Sequence, residues 1–335
     1  MSTGTASPTA PASETTPASR VRLLASRMPS WRTSGILVPF LALFIALSIG
    51  SGPFFSKDNL LNILDQQSAT LIMAAAGTLV LISGGIDLSV GATYALAGVV
   101  AAQFAQHHNV AVAALLGVGI GLLVGLANGV VSTIFRINSL IATLSMSFIV
   151  SGLASKVTNG NLIVLTNSPD FAKIAQSSFW SVRTSIWIAL AALLCLGVLL
   201  ARTTFGRYLY AAGGNAEAAR LAGVRVNTVR IAAFAASGTA AGLAGLIDTS
   251  RVLSAQSSSG NQLAFTVLAG IVVGGTSILG GEGAIWRTMV GVLFIALVGN
   301  GFDLLGVNPL YQQITLGLIL LLAVGLDAWS RVLRR

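Results

Sequence analysis

The sequence predicts an all-α fold: a polytopic bundle of transmembrane helices, with about ten spans and both termini in the cytoplasm. Three observations predict it. Of 335 residues, 54% are hydrophobic and 9% charged, whereas soluble domains carry about 25% charged residues. The apolar residues gather into ten stretches, each near the roughly 20 residues that cross a hydrocarbon core about 30 Å thick. With the N-terminus inside, Lys57, Lys156, Lys173, Arg183 and Arg251 fall outside, and the other 14 of the 19 Lys and Arg fall on the cytoplasmic side. That is the bias by which basic residues set orientation, and one span more or fewer would scramble it.

Residues 1–32 read as a disordered basic tail. Its first part is almost entirely Ser, Thr, Pro and Ala, which cannot build a packed core, and Arg20, Arg22, Arg27 and Arg32 follow. Lacking an apolar run of its own, it does not read as a secretory signal. The membrane domain covers 33–331, with spans expected near 35–50, 66–83, 88–104, 110–134, 137–155, 185–201, 231–248, 263–279, 284–302 and 311–329. A longer outer segment occupies 156–183. Ten spans divide as five plus five, and an odd number per half would place the halves in opposite orientation. Gly84-Gly85 and Gly274-Gly275 are candidate marks of such a repeat, although the halves do not align.

The most polar long interruption is the loop 202–230. It holds Arg202, Arg207, Arg220, Arg225 and Arg230 and a single acid, Glu217. Asn215 can cap a short helix through Ala216-Glu217-Ala218-Ala219 after a break at Gly213-Gly214. The arginines alone need mean no more than topology. The ordered turn-and-helix pattern favours a handle that another protein can push.

Gly84-Gly85-Ile86-Asp87-Leu88-Ser89-Val90-Gly91-Ala92 joins the second and third spans. The glycines permit a sharp reversal, and Asp87 or Ser89 can cap the next helix. The other reading makes Asp87 a gate carboxylate, since charge near a membrane is costly and often functional; the turn is favoured. Gly117, Gly121, Gly125 and Gly129 make one smooth face of span four, suited to close helix packing or to dimerisation. Ser139, Thr143, Ser147, Ser151 and Ser155 line one face of span five. They serve either backbone and interhelix bonds or, at Thr143, Ser147 and Ser151, a polar track for a hydroxylated solute. Gly274 to Gly283 reads as a glycine-rich turn, with a broken helix beside a pathway as the alternative.

Several function classes are excluded. The net charge of +9 is spread between spans, not clustered with aromatics on a nucleic-acid-binding face. Cys195 is the only cysteine, which rules out intrachain disulfides and cysteine-based zinc sites. Lys57, Lys156 and Lys173 follow Ser56, Ser155 and Ala172, so none completes a phosphate-binding Gly-Lys-Ser/Thr loop. The two histidines are adjacent, which makes a His-Glu-x-x-His zinc site impossible, and no Gly-x-Ser-x-Gly elbow occurs. No catalytic, cofactor or metal site is assigned.

The pattern Gly206-Arg207, Tyr210-Ala211, Gly213-Gly214-Asn215, Ala218-Ala219-Arg220 and Gly223-Val224 resembles the cytoplasmic coupling loop of ribose-type ABC importer permeases. The string Gly84 to Ala92 matches a signature of the same family. Asn59 to Leu64, Ile141-Ala142-Thr143-Leu144, Gly274 to Gly283, Asn300-Gly301 and Leu304 to Val307 extend the resemblance from about residue 55 into span ten. Ser145 stands where the family usually has Gly, and Gln262 and Ala264 stand where it commonly has acids.

The resemblance implies a subunit of an ATP-driven importer in the bacterial inner membrane. A separate ATPase would dock on Gly206, Arg207, Tyr210, Gly213, Gly214, Asn215, Glu217, Ala218, Ala219 and Gly223. A second permease chain would complete the channel, and a soluble binding protein would deliver a monosaccharide or polyol. ATP hydrolysis would occur in the partner. The competing class is an ion-coupled secondary transporter. It would want acids deep in spans, whereas Asp65, Asp87, Asp248, Asp303 and Asp327 fall near predicted span ends.

Overall fold

The computed structural model describes residues 35–332 apart from positions 167 and 309, with side chains to residue 325. The expected tail at 1–32 lies outside the described residues. From Ile36 onward the chain forms one compact unit.

Helices run over α1 (Leu37–Gly50), α2 (Lys57–Ile82), α3 (Val90–Ala105), α4 (Val110–Thr133) and α5 (Ser139–Thr158). Strand β1 (Ile163–Val164), α6 (Pro169–Gln176), β2 (Ser178–Phe179) and β3 (Val182–Arg183) follow. Then come α7 (Thr184–Arg202), α8 (Thr204–Gly214), α9 (Ala216–Leu221), α10 (Val226–Val252) and β4 (Ser254–Ala255). The chain continues through α11 (Leu263–Val273), α12 (Ile285–Leu304) and α13 (Leu310–Val332). Every stretch expected to span lies on one of α1 to α5, α7 or α10 to α13. Among the described residues, α4, α5, α7, α10 and α12 are long and apolar enough to cross a membrane, and α1, α3, α11 and α13 are shorter apolar helices.

Two boundaries differ most from expectation. α2 begins at Lys57, well before Gln66, because the Ser56 hydroxyl caps it by accepting from the Asn59 backbone N–H at 3.2 Å. The side-chain amides of Asn59 and Asn300 exchange two bonds, of 3.1 and 2.9 Å, and pin that early start to α12. α11 stops at Val273, so residues 274–279 are turn, not span. Gly275 at φ +83° provides the left-handed residue that ends the helix, and the Thr276 N–H reaches back to the Ile271 carbonyl at 3.2 Å. At 1.5 Å per residue, the 11 residues of α11 cover only about half of a hydrocarbon core.

α10 is the central helix and packs on α2, α3 and α4. The glycine face of α4 is spent on this contact. A Cβ built at Gly121 would lie 2.2 Å from the Gly238 carbonyl oxygen, and one at Gly125 would lie 2.3 Å from that of Phe234. α10 answers with its own small face, where a Cβ at Gly238 would lie 2.1 Å from the Gly121 oxygen. Of the two readings of that stripe, packing within the chain is the one realised.

Loops that the charge partition puts outside meet one another. β1 pairs with β4 in antiparallel register, Ser250 on α10 accepts from the Ala175 N–H on α6, and Arg183 pairs with the buried Asp65 at 2.8 Å. Loops it puts inside also meet. The Gly281 N–H donates to the Ile82 carbonyl at 2.8 Å, so Gly84-Gly85 and the turn after Gly274-Gly275 sit at the same end of the bundle. A two-fold axis in the membrane plane would have sent them to opposite ends. They are therefore not marks of an inverted repeat.

Candidate functional site

The end of the bundle that the charge partition puts inside is built on α8, a stretch expected to be loop. Three glycines in 11 residues lower its intrinsic helix propensity; packing overrides this, with Leu209 and Ala212 fully buried. Thr203 caps it by accepting from the Gly206 N–H at 3.3 Å. Gly206 is required because a Cβ there would lie 1.9 Å from the Leu200 oxygen, at the tight corner between α7 and α8. The chain then breaks at Asn215, whose Oδ1 accepts from the Glu217 and Ala218 N–H groups at 3.1 and 3.0 Å. That is the expected cap. α9 is closed off two residues after its end by Gly223, in the left-handed region at φ +85°.

α8 is wedged against both glycine elbows. A Cβ at Gly213 would lie 1.8 Å from the Ile82 oxygen and 2.6 Å from the Gly281 nitrogen. At Gly214 a Cβ would meet nothing within 4 Å. The Tyr210 hydroxyl donates to the Gly283 carbonyl at 2.8 Å. Burial pushes this hydroxyl's pKa up and the Arg287 charge opposes the shift, so the bond has its donor proton at neutral pH. Arg230 was read only as a topology signal. Its Nε donates to the Ser83 carbonyl at 3.0 Å and its Nη2 to the Ala212 carbonyl at 3.4 Å, which ties the ends of α2 and α8 together. No local motif marks it; its position at the inner edge of a span was the available signal.

The outer surface of this wedge is exposed. Arg207, Glu217 and Ala218 face solvent, Glu217 pairs with Arg220 at 3.2 Å, and Leu221 is 84% exposed. Ala219 is buried and anchors α9 beneath this surface.

The segment from Gly84 to Ser89 is a non-helical strap between α2 and α3. Gly84 turns at φ +85°, and Gly85 packs against the ring of Phe234. Neither Asp87 nor Ser89 caps α3 as expected, for the Ser89 side chain makes no capping bond. Asp87 instead closes its own turn. Its Oδ1 accepts from the Ser89 N–H and hydroxyl at 3.0 and 2.7 Å, and its Oδ2 accepts from Ser237 on α10 at 2.8 Å. Asn128 on α4 donates to Ser89 at 2.7 Å. Ser139 accepts from the Ile86 N–H, and the buried Thr143 accepts from the Leu88 N–H at 3.1 Å. Three helices, α4, α5 and α10, thus hold the strap. Gly91 completes it, since a Cβ there would lie 2.2 Å from the Gly260 oxygen.

The hydroxyl face of α5 therefore divides. Thr143 clamps the strap. Ser147 and Ser151, half-buried further along, have no hydrogen-bond partner among the described residues. Ala264 is buried against the start of α3, while Gln262 opens onto a cleft of about 170 Å³ with Gln312 and Gln313. Among the described residues no cluster of His, Cys, Asp and Glu has the geometry of a metal site.

Residues 59–324 match the family described as "Branched-chain amino acid transport system / permease component". The chain belongs to this permease family. The permease is 38% identical to the ribose import permease protein of Escherichia coli (strain K12) over 299 residues, covering 87% of this chain and 92% of the relative. Identity to the ribose import permease protein of Bacillus subtilis (strain 168) is 38% over 296 residues, covering 87% and 92%. The L-arabinose ABC transporter permease protein of Azospirillum brasilense is 38% identical over 305 residues, covering 90% of the permease and 89% of that relative. No solved structure matches it significantly.

Proposed function

We propose that the permease is the membrane-spanning subunit of an ATP-driven importer in the bacterial inner membrane, carrying a monosaccharide or related polyol. The observation that carries this reading is the seating of α8. Gly213 lies against the Ile82 carbonyl and Tyr210 is bonded to Gly283, so a push on the exposed α8–α9 surface reaches two elbows at once. A separate ATPase supplies that push at Gly206, Arg207, Tyr210, Gly213, Gly214, Asn215, Glu217, Ala218, Ala219 and Gly223. ATP and a loaded binding protein favour different conformations, and each shifts the population of the gate.

Ten spans with both termini inside agree with the way inner loops meet inner loops and outer loops meet outer loops. Lipid and a second permease chain cover the apolar faces of α5 and α13, where Phe148, Ile149, Leu318 and Leu321 are exposed. The sugar class follows the ribose and arabinose relatives. A neutral sugar draws nothing from the membrane potential, so uphill import needs a nucleotide-driven partner. Ion-coupled transport finds little support, because Asp65, Asp87 and Asp248 are each held by donors in the structure.

Co-expression with the cognate ATPase and solute-binding protein tests the reading. The complex should co-purify and drive uptake of ribose or arabinose that requires ATP hydrolysis. Glu217→Arg should release the ATPase while leaving the permease inserted. Uptake driven by a proton or sodium gradient in vesicles holding the permease alone would overturn the proposal.

A further inference from the structure

At the outer end of the bundle lies a second polar centre, unconnected with the coupling wedge. Asp248 on α10 is bound at Oδ1 by Arg251, through Nε at 3.0 Å and Nη2 at 2.6 Å. Its Oδ2 accepts from the Tyr94 hydroxyl on α3. The carboxylate and guanidinium cancel each other's charge, so the centre offers no net attraction to an ion. It is not saturated. Each carboxylate oxygen has two acceptor sites and a guanidinium has five N–H donors. Oδ2 therefore keeps a free acceptor site, and Arg251 keeps donors beyond the two it spends here.

This centre lines a solvent-open cavity of about 90 Å³ with Tyr94, Asp248, Thr249, Ser254, Gln256 and Ser259. Hydroxyls and an amide thus face a braced carboxylate, a set in which donors and acceptors alternate. Leu162 and Val252 supply an apolar wall. The roof is the β1–β4 ribbon, two strands joined by pairing of Ile163 with Ala255 and Val164 with Ser254. The rim residues Gln256 and Ser259 are exposed, so the cavity opens to the side on which a solute arrives.

Resting on the importer reading above, we propose that this cavity is an entry site for a neutral polyhydroxylated solute, with Asp248 and Tyr94 at its floor and Gln256 and Ser259 at its rim. A sugar hydroxyl donates and accepts at once, which is what an alternating donor–acceptor wall requires. The carbon-bound hydrogens of its ring find the Leu162 side. A zwitterionic amino acid would have to desolvate two charges against a centre already neutralised, and buried charges need partners to offset that cost.

The test uses the full-length permease in nanodiscs, without ATPase or binding protein. Cys195 is the only cysteine, so Cys195→Ala gives a background in which Ser259→Cys or Gln256→Cys is the sole reporter. The rate of thiol modification by a charged, membrane-impermeant methanethiosulfonate is measured with D-ribose, L-arabinose or L-leucine present. The proposal expects modification to slow several-fold with a pentose and not with leucine. Adding Ser259→Phe to Gln256→Cys, which fills the cavity, should abolish the pentose effect, so that the thiol reacts at the same rate with and without pentose. Equal protection by leucine, no protection by either pentose at both reporters, or thiols that never react would each overturn it. The importer reading is judged separately by ATPase co-purification, which this assay does not involve, so either idea can fail alone.

Discussion

Arg230 Nε donates to the Ser83 carbonyl oxygen at 3.0 Å, and the same guanidinium reaches the Ala212 carbonyl at 3.4 Å. One side chain on α10 therefore holds the residue that caps the end of α2 to the last turn of the wedge helix. Both accepting carbonyls lie at helix ends, where backbone oxygens lack intrahelical donors and favour a cation. A guanidinium can serve two carbonyls at once through its fixed fork; an ammonium on a flexible stem does so poorly. Arg230→Gln should leave the ATPase bound and hydrolysing but lower solute moved per ATP by about tenfold or more, since hydrogen bonds to charged groups contribute about 1.5–3 kcal/mol. Arg230→Lys should fall between. Uptake and phosphate release measured together in proteoliposomes decide it, and an unchanged ratio in Arg230→Gln would show that the bridge does not transmit.

The two adjacent glycines at the end of α8 make a matched control. A Cβ at Gly213 would sit 1.8 Å from the Ile82 oxygen, against backbone that cannot swing away, while one at Gly214 would meet open space. Gly213→Ala should lift α8 from the elbow and abolish uptake, with the protein still inserted and recoverable in detergent. Gly214→Ala should leave α8 seated and retain far more uptake than Gly213→Ala. Equal uptake by both variants would mean that the seating of α8 is not needed for transport.

Much of this architecture is legible in the sequence, for identifiable reasons. Hydropathy located a helix for every expected span because the bilayer demands long apolar runs, and those runs dominate composition. Asn215 revealed its cap because the pattern is local, completed within three residues. α8 stayed hidden because Gly206, Gly213 and Gly214 signal a break locally, and only the approach of Leu200, Ile82 and Gly281 explains them. The early start of α2 depends on Asn300, and the true role of Thr143 depends on the Ile86 and Leu88 backbone. Partners so far apart in sequence leave no local trace.

The hydroxyl face of α5 predicts a split result. Thr143 is buried and bridges to the strap, so Thr143→Val strands the Leu88 N–H and should lower stability by about 1–3 kcal/mol. Ser147→Ala and Ser151→Ala, which lose no bond among the described residues, should melt like the parent protein. If those two hydroxyls line the solute path, the paired Ser147→Ala, Ser151→Ala variant should raise the solute concentration needed for half-maximal uptake. Thermal unfolding in detergent reads the first effect and uptake kinetics the second; a destabilised serine pair or a neutral Thr143→Val would reverse the assignment.

The seam between α4 and α10 offers the most direct check on the fold. Glycines face each other there with no side chain between them, and a Cβ at Gly121 or Gly238 would lie 2.2 or 2.1 Å from the opposing carbonyl oxygen. Helices that approach this closely gain contact along their whole backbones, and small residues are what permit it. Inserting one methyl must separate the helices, and overpacking of this kind typically costs about 1–3 kcal/mol. Gly121→Ala should therefore melt at lower temperature than the parent, and Gly121→Ala with Gly238→Ala should cost less than the sum of the two single changes, because the first substitution already opens the seam. Gly119, two residues away on the opposite face of α4 with open space around it, gives the control: Gly119→Ala should be neutral or slightly stabilising, since alanine is the better helix former. Independent, additive penalties at 121 and 238 would mean that the two glycines do not face each other, and the central packing described above would have to be redrawn.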